Sequence, residues 1–568
     1  MRCPELPADG VVFEDDDLIV VNKPPGVVSQ AVDAERDDDL PARVKRYVAA
    51  RRGVSVEDVY LGTHQRLDRD TSGLVLYTLR REANAGIAAQ LEGRSAEKTY
   101  VACVTGLPHF SGERRLSHEL ERGRDGLMQV AARASKHSKR AITRVRFEKA
   151  NGPRALVSLG CDTGRTHQLR VQLAHAGAPI AGDAWYGGVP AFRLMLHAVE
   201  LRIVHPGSGE PLTLRAPVPL ELEHFFEHGD TPASASPALL HRALELAVHA
   251  RYRFLREPSE RRATNALRLF NREGDGDAEL AVELYGDHVV ANLYGAAIEG
   301  READVIEALA RLDPAGDGPC AGVYVKRHPV QKSTIVDPRD ARFAPPEPVA
   351  GTAAPSPLVV RENDMPIEVN LADGLRTGIF LDQRDNRRRV RELARGKRVL
   401  NLFAYTGGFS VAALLGGAEL AVCVDVSAAA LAHAKRNVER IGASDRHRTL
   451  RSDVFDALAR YDKKGERFDI IVLDPPSFST TRSGRLEVRR DYARLAAAAL
   501  GVLSPGGYLM ACVNHHGVGP AWLADQLRRG ADMAGRAVAR IAACEPPDDF
   551  RMRADQAPPS TCALLCSK

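Results

Sequence analysis

Apolar positions fall into three regimes along the chain. Up to about residue 228, short apolar runs at 18–22, 99–104 and 155–159 are separated by Gly, Pro and Asp, which predicts a strand-rich α+β segment with a mixed sheet. HGDTPASASP (228–237) is linker-like, and LLHRALELAVHARYRFL after it has helical spacing. A small α+β unit follows, with strands expected at 280–284 and 289–293 and a helix over 303–312. FAPPEPVAGTAAPSP (343–357) marks another boundary. From RVLNLF (398–403) onward, apolar strands alternate with helices, the pattern of a parallel, doubly wound α/β sheet. The expected domains are therefore 1–228, 238–345 and 355–568, with no internal repeat.

Composition changes this picture little. At 568 residues the chain is too long for one ordinary domain, and 44% hydrophobic with 27% charged residues suits a soluble protein with real cores. The first residues, MRCPELPADG, hold no apolar run for a signal peptide, and no stretch suits a membrane span, so a cytoplasmic protein without membrane partners is expected. Nine cysteines form no CxxC pair, and Cys562 and Cys566 lack partners at metal-ligand spacing, so reduced, buried thiols are expected. Net charge is only +4, but basic residues bunch at 136–140 (KHSKR) and at Arg384, Arg387, Arg388, Arg389 and Arg391. Either bunch could neutralise phosphates or be an ordinary charged face.

The C-terminal segment carries an ordered set of motifs. The strand VLNLF runs into AYTGGFS, a glycine turn before a helix where a ligand can approach the backbone; it is not GxGxxG, which disfavours a dinucleotide site. The next strand, LAVCVD, ends in Asp425, placed to take two ribose hydroxyls, and Asp453 follows the third. The fourth, FDIIVLD, ends in Asp474-Pro475-Pro476-Ser477-Phe478. The two prolines stiffen that loop and lack N–H groups, so Asp474 and the loop carbonyls present acceptors, and Phe478 can stack on a flipped base. In this order the motifs resemble a class I S-adenosylmethionine-dependent methyltransferase. With RTGIFLDQRDNR (376–387), they resemble more narrowly the RlmI/RlmK-type large-subunit rRNA methyltransferases, over roughly residues 260–568. The resemblance implies that Thr377, Gly378, Phe380 and Gln383 help to close over S-adenosylmethionine. Phe403, Tyr405, Thr406, Gly407, Gly408 and Phe409 of the glycine turn would bind it together with Asp425, Asp453 and Asp474.

Those methyltransferases divide over the acceptor atom. Cytosine-methylating members place a nucleophilic cysteine after the GG of the next strand, because carbon 5 is not nucleophilic until a thiolate adds to the ring. Here GGYLMACVNHHGV puts Asn514 at that position, with Cys512 two residues earlier on the same strand face. The Asn-X-X-Gly ending resembles the guanine-methylating branch, which makes 7-methylguanosine. A guanine ring nitrogen is already nucleophilic and needs only orientation. Guanine is the expected acceptor and cytosine the alternative. His515-His516 lacks a third ligand, so no metal is expected.

In the N-terminal segment, FEDDDLIVVNKPPGVVSQ (13–30), RLDRDTSG (66–73), EKTYVACVTG (97–106) and GRTHQLRVQLAHAGAPIAGDAWYG (164–187) occur in order. Together they resemble an RluA-type pseudouridine synthase over about residues 10–225. The resemblance implies that Asp68 attacks the flipped uridine or abstracts a ribose proton. Arg170 would be the cation that keeps Asp68 ionised, Tyr100 the ring that stacks on the base, and Arg66 the side chain that fills the space it leaves. Asp70 is read as solvated loop. The usual His-Arg-Leu-Asp is interrupted here by Gln65, so His64 carries no role. No cofactor is implied, since the glycosidic bond is broken and remade in one pocket. The expected protein is a bifunctional enzyme acting on RNA, with large-subunit rRNA the expected target, and of open oligomeric state. The alternative is one active domain and one RNA-binding module.

Overall fold

A computed structural model of the chain describes all residues except 1–4, 7–9, 31–37, 94, 107–111, 257–262, 315–317, 330–336, 477, 482–483, 516, 554–555, 557 and 559; it describes no side chains within 478–486. The chain divides into two compact units. The first comprises residues 1–258, 272–278 and 301–319; the second comprises 259–271, 279–300 and 320–568. The chain thus passes between units at 258/259, 271/272, 278/279, 300/301 and 319/320. The segment expected as a separate middle domain is shared: its helices Pro237–Ala250 and Glu302–Ala310 belong to the first unit, and its strands to the second.

The first unit is built on an eleven-stranded sheet. Its strands are β1 (Val11–Glu14), β2 (Leu18–Lys23), β3 (Gly62–Thr63), β4 (Ser72–Thr78), β5 (Glu97–Thr105), β6 (Glu113–Arg122), β7 (Met128–Val130), β8 (Lys139–Asn151), β9 (Arg154–Cys161), β10 (Leu196–Val204) and β11 (Pro211–Arg215). Their order is β1-β2-β4-β10-β5-β9-β8-β6-β7, with β3 on β4 and β11 on β10. The sheet is mixed because β4 and β10 pair in parallel. β2 and β4 are buried throughout, so both faces are covered. Ile19, Val21, Val75 and Tyr77 pack with Leu40, Val44 and Val48 of the helix Leu40–Arg52, whereas Leu18, Val20, Leu74 and Leu76 pack the other way with Ile87 of Ala83–Glu92. Toward the far edge burial alternates: along β8, Ala141, Thr143 and Val145 are buried while Arg140, Arg144 and Arg146 are exposed, with Ile142 buried between the arginines.

The stretch read as a linker is packed instead. Ala233 and Ser234 are buried; the Ala233 N–H donates to the Gly276 carbonyl at 2.8 Å and the Ser234 N–H to Asp277 Oδ2 at 3.0 Å. Ser236 caps the helix Pro237–Ala250. Small polar residues signalled a cap and a tight fit here, not freedom.

The second unit contains a five-stranded sheet, β12 (Ala266–Asn271), β13 (Leu280–Tyr285), β14 (His288–Leu293), β15 (Gly322–Arg327) and β16 (Ala350–Gly351), and a ribbon, β17 (Leu358–Glu362) and β18 (Met365–Val369). Then come β19 (Arg398–Leu402), β20 (Leu420–Asp425), β21 (His447–Arg451), β22 (Phe468–Leu473), the ribbon β23 (Phe478–Thr481) and β24 (Gly484–Glu487), β25 (Leu503–Val513), β26 (Val538–Cys544) and β27 (Thr561–Ser567). The main sheet runs β21-β20-β19-β22-β25-β27-β26, parallel as far as β25, with β27 and β26 antiparallel. Strand order reverses between β19 and β22, so the loops leaving those two strands flank the crevice where ligands of such sheets bind.

Candidate functional sites

In the first unit, the loop between β3 and β4 brings Asp68 to Arg170, which lies on the helix Gln168–His175. Arg170 Nε and Nη2 donate to both oxygens of the buried Asp183 at 2.7 and 2.8 Å, and Nη1 donates to Asp68 Oδ2 at 3.4 Å. Its guanidinium lies 5.1 Å from the ring centres of Trp185 and of Tyr186. His167, held in the left-handed region at φ 52°, bonds the Tyr186 hydroxyl at 2.8 Å; burial keeps its pKa low and favours a neutral ring. Tyr100 is half-buried on β5, where burial raises its phenol, so it stays protonated beside Asp68. Arg66 is exposed and, among the described residues, makes no polar contact. Beneath the loop, buried Lys23 donates to the carbonyls of Pro24, Val27 and Arg69, and burial lowers its pKa to about 7. Asp70 pairs with Arg69 at 3.3 Å and offsets part of that burial effect on Lys23, so it is more than solvated loop.

In the second unit, a cavity of about 650 Å³ opens at the crevice, a size that suits a cofactor plus part of a base. It is lined by Thr377, Gly378, Phe380, Gln383, Phe403, Tyr405, Thr406, Gly408, Phe409, Asp425, Asp453, Asp474, Pro475, Pro476 and Asn514, which converge from six segments far apart in sequence. Gly407 is not in the lining: at φ 80° it makes the turn into the helix Gly408–Leu415, where a Cβ would come 2.8 Å from Ala434 Cβ. Phe403 and Tyr405 also hold positive φ, 56° and 49°, so this turn stores backbone strain, as ligand-facing loops often do. Asp425 accepts from the Tyr405 N–H at 3.0 Å and the Ser427 N–H at 2.8 Å, which fixes its carboxylate and leaves lone pairs for hydroxyls. Asp453 caps the helix Val454–Lys463 through the Phe455 N–H. Thr406 Oγ1 donates to the Gly378 carbonyl at 2.6 Å and ties the glycine turn to the 376–380 segment. Burial, reinforced by nearby Asp382, pushes Asp474 up to about 7. The Phe478 side chain and Ser477 lie outside the described residues.

Cys512 stands apart. It is fully buried on the β25 face that packs against Gln383, and its thiol donates to Gln383 Oε1 at 3.5 Å. Gln383 lines the cavity and Cys512 does not. A hydrogen bond with Cys562, then burial, raise the Cys512 thiol far above its ordinary pKa. The arginine bunch at 384–391 also proves partly internal: Arg384 pairs with Asp549 and Arg387 with Glu362, both buried and two-pronged at 2.6–2.9 Å. Helical spacing turned those two inward, and only Arg388 of the bunch is exposed.

Sequence reasoning passed over Asp183, His167, Trp185 and Tyr186, although all lie within 164–187. Their signal was the density of polar and aromatic residues around Arg170. It also passed over Asp382, one residue before Gln383.

Residues 17–175 match the family described as RNA pseudouridylate synthase, and residues 345–557 the family described as S-adenosylmethionine-dependent methyltransferase. Proteins named ribosomal RNA large subunit methyltransferase I are 36% identical, from Aeromonas salmonicida (strain A449) over 253 residues and from Escherichia coli (strain SMS-3-5 / SECEC) over 248. These alignments take in 44% and 43% of this chain but only 61% and 60% of those proteins. A crystal structure complexed with SAH and described as a methyltransferase is 24% identical with a TM-score of 0.51, over 66% of this chain and 88% of its own, a likeness of fold. The acidic and aromatic lining around Asp425 fits the S-adenosylmethionine that the second family uses. The chain therefore carries, in order, a segment that matches the RNA pseudouridylate synthase family and a segment that matches the S-adenosylmethionine-dependent methyltransferase family.

Proposed function

We propose that the chain is a bifunctional RNA-modifying enzyme of the cytoplasm. Its first domain isomerises uridine to pseudouridine, and its second methylates guanine N7 in large-subunit rRNA. The first half rests on one observation, the guanidinium of Arg170 shared between Asp68 and Asp183. Asp183 fixes the guanidinium so that its remaining edge faces Asp68. Asp68 attacks the uridine or takes a ribose proton, Tyr100 stacks on the freed base, and Arg66 occupies its place in the helix. The N1–C1′ bond breaks, a C5–C1′ bond forms and the C5 proton is lost as N1 gains one, so nothing external is consumed.

For the second half, the observation is that Asn514 lines the cavity where a nucleophilic cysteine would be needed. Bound S-adenosylmethionine supplies an electrophilic methyl group. Guanine N7 carries no proton, so the site needs no base and only has to orient the ring, with Asn514 and the Pro475-Pro476 loop at hand. The methylated ring is cationic, and Asp382 and Asp474 offer carboxylates to that charge. The cytosine route is disfavoured because Cys512 is buried behind Gln383 with its thiol protonated.

Nucleoside mass spectrometry of rRNA and tRNA from cells with and without this chain tests both halves. Loss of one pseudouridine and one 7-methylguanosine is expected. Loss of 5-methylcytidine instead would sink the guanine reading, and unchanged pseudouridine would leave the first domain as a binding module.

A further inference from the structure

The KHSKR bunch lies outside both sites, and the strands that flank it carry an unusual face. β6 and β8 pair antiparallel, with Arg115 opposite Arg144, Arg140 opposite Glu119 and Arg146 opposite Glu113 on the outer side. The inner side carries buried Leu120, Ala141, Thr143 and Val145, whereas on the outer side Arg115, Arg140, Arg144 and Arg146 are exposed around a buried Ile142. Arg144 bonds Asp162 at 3.0 Å and Arg146 bonds Glu148 at 2.8 Å. Arg115, Arg140 and Arg165, by contrast, form no ion pair among the described residues, and the Glu119 opposite Arg140 accepts from Ser138 Oγ. Arg140 reaches Ser117 Oγ at 3.3 Å, and Arg165 Nε donates to the Arg140 carbonyl at 3.2 Å. Placing Arg115 directly across from Arg144 costs stability on a bare sheet, since like charges in opposed positions repel. A polyanion laid along the face would turn that cost into a gain.

The row leads to the Asp68 site. Arg165 lies two residues before His167 and five before Arg170, in the same loop-to-helix entry. At that same end, the Ser135–Ser138 turn is stitched by Ser138 Oγ to Glu119 at 2.9 Å and leaves Lys136 and His137 exposed. The face offers no exposed large apolar side chain, which speaks against a protein partner.

We propose that the outer face of β6 and β8, through Arg115, Arg140 and Arg165, is a track for the RNA backbone that flanks the target uridine. The proposal rests on the reading that this domain takes RNA. It is tested on the full chain carrying Asp68→Asn, so that binding is read without turnover. The probe is a 20-nucleotide oligouridine containing 5-iodouridine. Photocrosslinking and peptide mapping should place adducts within residues 113–146 and 163–167. The triple variant Arg115→Gln, Arg140→Gln, Arg165→Gln should cut those adducts about fivefold or more. It should also reduce the slope of log affinity against log salt by about 2, from about 0.7 per lost single-strand phosphate contact. Lysine at the same three positions should restore both. Unchanged adducts and slope in the glutamine triple would overturn the track, as would adducts confined to other surfaces. If wild-type chain makes no pseudouridine yet shows these adducts, the proposed reaction falls and the RNA track stands.

Discussion

Arg170 hydrogen-bonds two carboxylates of unequal burial, and that inequality divides their work. Asp183 is almost fully buried and two-pronged, whereas Asp68 is half-exposed and held by a single 3.4 Å contact. Arg170→Ala should therefore destabilise the first unit by about 3–5 kcal/mol, because it strands a buried carboxylate. Asp68→Asn should leave the thermal midpoint nearly unmoved while pseudouridine formation disappears. Equal loss of stability in the two variants would refute this division. Asp474 sets a pH dependence in the second unit. With its pKa raised to about 7, the carboxylate ionises as pH rises through neutrality, so methyl transfer should climb through about pH 7 and level roughly one unit above it. Asp474→Asn should flatten that profile in single-turnover assays. The positions of Asp68, Arg170, Asp425, Asp474 and Asn514 were legible in the sequence because each sits in a motif. Asp183 was not, since a buried counter-carboxylate looks in sequence like any turn aspartate. The proposed choice of acceptor base turns on Cys512 in β25 and Asn514 just beyond it, and Cys512→Ala should retain methylation within about twofold while Asn514→Ala loses about tenfold or more, about 1.4 kcal/mol of transition-state stabilisation.

At the level of elements, apolar periodicity carried most of the fold. The apolar runs at 18–22, 99–104 and 155–159 fall within β2, β5 and β9, and the strand–helix alternation from residue 398 marks the doubly wound sheet. What periodicity could not separate was a solvated charge from a paired one: Arg384 and Arg387 look as polar in sequence as Arg388. Likewise Ala233 and Ser234 were hidden by composition, because small residues serve equally in linkers and in tight packing. Gly407 was expected at the ligand and instead shapes the element that faces it. Gly407→Ala combines an unfavourable φ with a Cβ too close to Ala434, so it should lower the second unit's stability by about 1–3 kcal/mol, read as a shift of the urea midpoint.

For the whole molecule, two sites on one chain predict separable losses. Asp68→Asn should remove pseudouridine and spare the methylated base, and Asn514→Ala should do the reverse. Loss of both products from either substitution would mean that the sites are interdependent. The interleaved course of the chain has a consequence for how the protein is made. Arg251 is fully buried and two-pronged on Asp275, a residue reached only after the chain has visited the second unit and returned. A polypeptide ending at 258 would hold every candidate synthase side chain yet strand that guanidinium. On a ribosome adding about 5–20 residues per second, roughly 3–12 s separate residue 258 from residue 319. During that interval the first domain waits, chemically furnished but unfinished, for pieces that arrive with its neighbour.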